Sequence, residues 1–122
     1  MSRERLEPGP DHPITVTPTG GRVVVRRGET VIADSTAALS LAEANYPAVQ
    51  YIPLDDVKPG LLRDSDTATY CPYKGDCSYY DLVVDGEELP DTVWVYREPY
   101  PAVVEIAGHV AFYPDRVDVT TG

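Results

Sequence analysis

Short runs of β-branched and other apolar residues alternate with turn-forming residues along most of the chain. Runs of this length that end in Gly, Pro or Asp are typical of β-strands. The clearest cover residues 14–17 and 48–53, and residues 22–26 and 30–33 form the two arms of a hairpin around Gly28. The pattern predicts a mainly β protein with about eight short strands.

A second hairpin is predicted at Asp85-Gly86, a turn pair that lies between two apolar runs. In its second arm, valines alternate with Trp94 and Tyr96. Successive side chains of a strand point to opposite faces of the sheet. One face of this strand is therefore aliphatic and the other aromatic, so the strand is either buried on both faces or lines a cavity on one.

Prolines mark the ends and irregular points of the other predicted elements. Pro90 predicts an edge position or a bulge at the start of the second arm. Pro114 separates the last two strands, and residues 102–106 are predicted to make one helical turn.

One short helix is predicted within DSTAALSLAEANYP. Its polar start suits an N-cap, residues 37–44 are good helix formers, and Pro47 ends the segment. Leu39 and Leu41 are its expected inward-facing residues.

Length and charge narrow the class of protein. The chain has 122 residues, which suits one domain at residues 12–122 behind a loose, charged N-terminal arm at residues 1–11. The formal net charge is −10, which argues against nucleic acid and anionic membranes as partners. Without an apolar run of about 20 residues or a signal-peptide core, the chain is expected to be cytoplasmic.

The two cysteines have the spacing C-x5-C, and the chain has two histidines far from them in sequence. A structural zinc site needs four ligands, usually from paired knuckles, so neither a metal nor any other cofactor is predicted. A disulfide is not expected to persist in the cytoplasm. If Lys74 is the centre of the connection, Cys71 and Cys77 lie opposite each other in a hairpin.

Several side chains are candidates for a catalytic or a ligand-binding role. Cys71 and Lys74 are candidate nucleophiles, and His109 is a candidate base. The nine tyrosines favour core packing or a pocket lined with rings, and Trp94 is the best single anchor for such a pocket. The candidate ligand-binding set is Tyr51, Cys71, Lys74, Tyr79, Trp94 and Tyr96.

Two motifs carry a family resemblance: CPYKG at residues 71–75 and GHVAFYPD at residues 108–115, with Trp94 and Tyr96 between them. With these, the chain resembles the bacterial family called domain of unknown function 427 from about residue 12 to residue 119. The resemblance implies a compact β-tent-like domain of antiparallel strands and no established activity. The family often has His before the motif's cysteine, where this chain has Tyr70, and a small residue in place of Cys77.

Three functional hypotheses stay open. The first is a domain that binds a small molecule or peptide in an aromatic pocket. The second is an enzyme with Cys71 or Lys74 as nucleophile. The third is an interaction module that uses a sheet edge or an apolar patch. The chain is expected to be a monomer or a weak homodimer.

Overall fold

The computed structural model describes residues 4–122, which form ten strands and two 3-10 turns, at Leu54–Asp56 and Pro101–Ile106. This confirms the mainly β fold class. The strands are β1 (Ile14–Pro18), β2 (Val23–Arg27), β3 (Thr30–Ser35), β4 (Leu39–Glu43), β5 (Val49–Pro53), β6 (Leu62–Cys71), β7 (Gly75–Val84), β8 (Glu87–Val95), β9 (His109–Phe112) and β10 (Asp118–Thr121).

The strands form two antiparallel sheets. The larger has the order β1-β4-β5-β9-β8-β7-β6, and the smaller has the order β10-β2-β3. The last two strands of the chain do not pair with each other, because β9 lies between β5 and β8 whereas β10 pairs with β2. The segment around Pro114 therefore carries the chain from one sheet to the other.

One hydrophobic core lies between the two sheets. The smaller sheet contributes Val25 and Ile32, and the larger contributes Leu82, Val93 and Val95. The two valines of β8 point into this core, while Trp94 packs against a second cluster on the opposite face. The predicted aliphatic and aromatic faces of β8 thus pack against different cores.

The predicted helix at residues 37–44 is wrong, because this segment contains the strand β4. Its sequence LSLAE also alternates with a period of two, which turns Leu39 and Leu41 to the same side. Strands β1 and β5 pair with β4 on its two edges and satisfy its backbone groups. Sheet pairing on both sides therefore overrides the local helix propensity.

The Asp85-Gly86 hairpin and the predicted helical turn near residues 102–106 are both present. Asp85 and Gly86 have φ of 52° and 81°, as a type I′ turn requires. Pro90 lies at a register shift between β7 and β8, in a strand with neighbours on both sides. The predicted bulge is present, and β9 pairs only with residues 93–95 of β8, so among residues 4–122 Pro90 also has no partner strand on that side.

The CPYKG motif forms the connection between β6 and β7. Cys71 pairs with Gly75, and Thr69 pairs with Cys77. The expectation that Cys71 and Cys77 face each other is wrong, because the connection is centred on Tyr73, one residue before Lys74. The Lys74 amide donates to the Cys71 carbonyl at 3.2 Å, so the chain reverses before Gly75. Both thiols are free.

Replacing Gly75 with alanine is expected to lower the free energy of unfolding by about 2 kcal/mol, because Gly75 has φ of 111°, a region that L-residues avoid. A Cβ there would also lie 3.5 Å from the Glu98 carbonyl oxygen. Gly9→Ala is the matched control, since its Cβ would meet nothing within 4 Å and its φ is not positive. Urea denaturation measures both, and equal losses would contradict the prediction.

Residues 1–3 of the predicted N-terminal arm lie outside the described residues. From Glu4 onward the segment contacts the β6–β7 hairpin. The Leu6 amide donates to the Pro72 carbonyl at 3.0 Å, and the Tyr70 hydroxyl donates to the Glu4 carbonyl at 2.7 Å. These bonds bring His12 and the CPYKG turn to the same end of the domain.

Candidate functional site

A cavity of about 260 Å³ opens on the aromatic face of the larger sheet, on the side away from the smaller sheet. Its deepest walls include Leu41, Tyr51 and Cys77, each almost fully buried. Tyr46, which is 70% exposed, and Tyr113 stand at its mouth. The full lining is Leu41, Glu43, Tyr46, Pro47, Val49, Tyr51, Lys74, Cys77, Tyr79, Trp94, Tyr96 and Tyr113.

Strand alternation brings the rings together. Tyr79 of β7 lies directly opposite Trp94 of β8, and Trp94 lies opposite Ala111 of β9. Side chains that oppose one another on neighbouring strands share one face of the sheet. Because residue 111 is small, the Trp94 ring can reach across β9 to β5, where its Nε1 donates to the Tyr51 hydroxyl at 3.1 Å.

The rings meet at angles suited to aromatic contact. The Tyr51 and Trp94 rings are 6.4 Å apart and nearly perpendicular, and the Trp94 and Tyr113 rings are 4.6 Å apart and tilted. Each such pair stabilises the fold by about 0.5–1.5 kcal/mol, in addition to the stabilisation from the apolar area that it buries. The walls of the cavity are therefore held by ring contacts and by the hydrogen bond from Trp94.

Three phenols of the cavity have a raised pKa because they are buried. Burial raises the pKa of Tyr51 and of Tyr96, and it raises the pKa of Tyr79 to about 12. A neutral phenol can donate one hydrogen bond and accept others. The Tyr51 oxygen already accepts from Trp94, so its own proton is available to an acceptor.

The charged side chains of the lining form one network. Lys74 Nζ donates to Glu43 Oε1, and His12 Nε2 donates to Glu43 Oε2 at 2.8 Å. The His12 ring stacks on the Tyr73 ring at 4.1 Å. Burial raises the pKa of Glu43, but the hydrogen bonds from Lys74 and His12 outweigh it, and the pKa lies below its ordinary value.

The backbone of the CPYKG turn holds Lys74 in place. Its amide is bonded to Cys71, and its carbonyl accepts from the Tyr100 amide at 2.9 Å. Lys74 is only 8% exposed, which is rare for a lysine unless it is paired. The turn thus presents a buried, neutralised cation at one end of the cavity.

The two thiols differ in position. Cys77 belongs to the cavity lining, and burial raises its pKa against the opposing effect of the nearby Tyr79, Tyr96 and Thr69 hydroxyls. Cys71 is half-buried and packs against the same cluster, but it is not part of the lining. A thiol whose pKa is raised is a poor nucleophile at neutral pH.

Five of the six predicted binding residues line this one cavity: Tyr51, Lys74, Tyr79, Trp94 and Tyr96. Cys71 does not. His109, the candidate base, lies at the start of β9, where its Nδ1 bonds with the Ala107 carbonyl at 2.9 Å, and it is not part of the lining either. The geometry therefore brings together the predicted rings and Lys74, and leaves out Cys71 and His109.

Sequence reasoning missed Glu43, the carboxylate that pairs with Lys74. The signal was present, since Leu39, Leu41 and Glu43 share one face if the segment is a strand. The interpretation as a helix concealed that alternation. The position of His12 beside Glu43 depends on the path of the N-terminal segment, for which the sequence carries no signal.

Two kinds of feature are absent from residues 4–122. No three His, Cys, Asp or Glu side chains are grouped so that they could hold a metal ion. No helix there combines the length and the apolar character that crossing a membrane requires.

Fold and site together define a mainly β domain with an aromatic-lined cavity on one face of its larger sheet. The chain matches the family model described as "Domain of unknown function (DUF427)" over residues 15–122, so it belongs to that family. This confirms the resemblance carried by the CPYKG and GHVAFYPD motifs. None of the curated proteins matches the chain.

Proposed function

We propose that this domain binds a small, flat, uncharged molecule in the aromatic cavity, with a carbonyl or amide group directed at Lys74 and Glu43. The observation that carries the proposal is the convergence of six aromatic rings and one largely buried ion pair on a single cavity. Ligand sites are typically concave and apolar, with a few polar groups that fix orientation.

The size of the cavity favours a small ligand. Its volume of about 260 Å³ lies below the roughly 300–1,000 Å³ typical of sites for drug-sized molecules. A single substituted ring fits this range better than a peptide, which would need a longer groove.

The charges favour a neutral polar group. An ammonium has three protons to donate, and Glu43 uses one of those of Lys74. A carbonyl can accept another, and an amide N–H can donate to Glu43. A carboxylate would instead meet Glu43 and the formal net charge of −10.

The same contacts favour binding over covalent catalysis. A lysine whose amine is protonated and ion-paired has no lone pair for attack. Of the two thiols, the one in the lining is Cys77, whose pKa is raised by burial. Neither group is activated as a nucleophile requires.

Three ring compounds of similar shape test the proposal: benzamide, benzoate and benzylamine. Trp94 is the single tryptophan of the chain and lines the cavity, so its fluorescence reports binding. We expect saturable quenching by benzamide, and affinities on the order of tenfold weaker for benzoate and benzylamine, because each places a charge beside a like charge of the pair.

Variants at Cys77 provide the matched control. Cys77→Leu adds bulk inside the cavity and should abolish benzamide binding, whereas Cys77→Ala leaves the space open and should preserve it. The proposal is overturned if benzamide does not quench Trp94 saturably, or if Cys77→Leu binds benzamide as tightly as the unmodified protein.

A further inference from the structure

A second cavity, of about 530 Å³, adjoins the first one. The two cavities share four lining residues: Tyr46, Pro47, Val49 and Trp94. The second cavity extends toward the smaller sheet, since it also touches Val119 and Thr121 of β10. The Trp94 ring and the segment before β5 therefore form a wall between the two spaces.

The pairing of β5 with β9 explains why the two spaces meet. These strands pair only at Ile52 with Val110 and at Pro53 with His109. Residues 49–51 of β5 remain paired with β4, and residues 111–112 of β9 remain paired with β8. The larger sheet is therefore forked where residues 49–51 of β5 separate from residues 111–112 of β9. The lining residues that the two cavities share lie at this fork.

The two cavities differ in chemistry. The first has the Lys74–Glu43 pair at one end. The second is lined mainly by apolar groups, among them Ile52 and Phe112, which are almost fully buried. Its one amide, Gln50, is already bonded to Thr19 at 2.6 Å and to Ser40 at 3.0 Å. The second cavity is thus suited to an apolar group.

We propose that the two cavities form one bipartite site for an amphipathic small molecule. Its flat polar head occupies the first cavity, and an alkyl or aryl tail passes the fork beside Trp94 into the second. This inference rests on the proposed function, because the head must bind where that proposal places it. It adds the class of ligand: a neutral aromatic amide or carbonyl compound with an apolar tail.

Benzamides with meta- or para-alkyl chains, from methyl to hexyl, test the tail. Each methylene that enters the second cavity should tighten binding roughly three- to fourfold, measured by quenching of Trp94. Thr121→Phe fills the second cavity from β10 and should remove this gain, while the affinity for unsubstituted benzamide stays unchanged.

Thr120→Phe is the matched control. Thr120 is the neighbouring exposed residue of β10, and its hydroxyl is directed at the Val24 carbonyl, outside both cavities. This variant should keep the full gain from the alkyl chain.

The outcomes separate the two proposals. If benzamide itself fails to bind, the proposed function is overturned, and the bipartite site with it. If benzamide binds but neither alkyl series gains affinity, or if the gain survives Thr121→Phe, the bipartite site is overturned while the proposed function stands.

Discussion

Replacing Lys74 with methionine is expected to lower the free energy of unfolding by about 3 kcal/mol near neutral pH. The substitution keeps most of the apolar stem but leaves the Glu43 carboxylate partly buried, with only the hydrogen bond from His12 remaining. Breaking a buried ion pair from one side costs roughly 3–5 kcal/mol, and the remaining bond to His12 places this variant at the lower end. Urea denaturation measures the loss.

The pH dependence of this loss identifies its cause. In the intact protein the pKa of Glu43 lies below its ordinary value of 4.5, so this carboxylate stabilises the fold above that pH. That contribution is lost as the pH falls through the folded-state pKa. In Lys74→Met, burial still raises the pKa of Glu43 while the hydrogen bond from Lys74 is gone. The deficit should therefore be largest at neutral pH and should narrow in acid, where Glu43 becomes protonated.

Two controls make the prediction specific. Lys58 is exposed, so Lys58→Met should change stability by no more than about 0.5 kcal/mol. The double variant Lys74→Met with Glu43→Gln removes both charges and should recover at least about 1 kcal/mol of the loss. A deficit that is independent of pH, or a double variant as unstable as the sum of its two single variants, would show that the ion pair is not responsible.

Leu82→Ala should be about as destabilising, with an expected loss of about 3 kcal/mol. Leu82 is 0% exposed in the core between the sheets, and it pairs with Leu62 on β6 and Leu89 on β8. Truncating a buried leucine removes apolar contacts and leaves a cavity, at a cost of roughly 2–5 kcal/mol. The loss is measured by urea denaturation.

Leu54→Ala is the matched control, because the same atoms are removed from a side chain that is 41% exposed. It should cost less than about 1 kcal/mol. Benzamide affinity should be unchanged in folded Leu82→Ala, since Leu82 packs in the core on the opposite face of the sheet from the aromatic cavity. A loss no greater than that of Leu54→Ala would contradict the assignment of Leu82 to this core.

The parts of the fold that could be predicted are those set by local chemistry. Asp85-Gly86 has the positive φ values that a two-residue hairpin requires, and Pro90 coincides with a register shift. The alternation around Trp94 is by itself enough to predict a strand with two different faces. Each of these signals depends on residues within a few positions of one another.

The wrong predictions concern segments whose conformation depends on strands that are distant in the sequence. The segment with β4 has good helix formers, yet it pairs with β1 and β5, and neither partner can be read from its own residues. The close approach of Cys71 to Gly75 depends on a turn that Glu98 and Tyr100 also contact. Tertiary neighbours overrode the local preference in both places.

By itself the sequence determined a mainly β domain of this family, the hairpin turns, and five of the residues that line the first cavity. These follow from periodicity, from turn chemistry and from recognisable motifs, all of which are local. Only the tertiary structure decided that Glu43 pairs with Lys74, that Cys77 rather than Cys71 lines the cavity, and that the larger sheet forks between β5 and β9. Those features depend on which strands become neighbours, and strand order arises from packing across the whole chain.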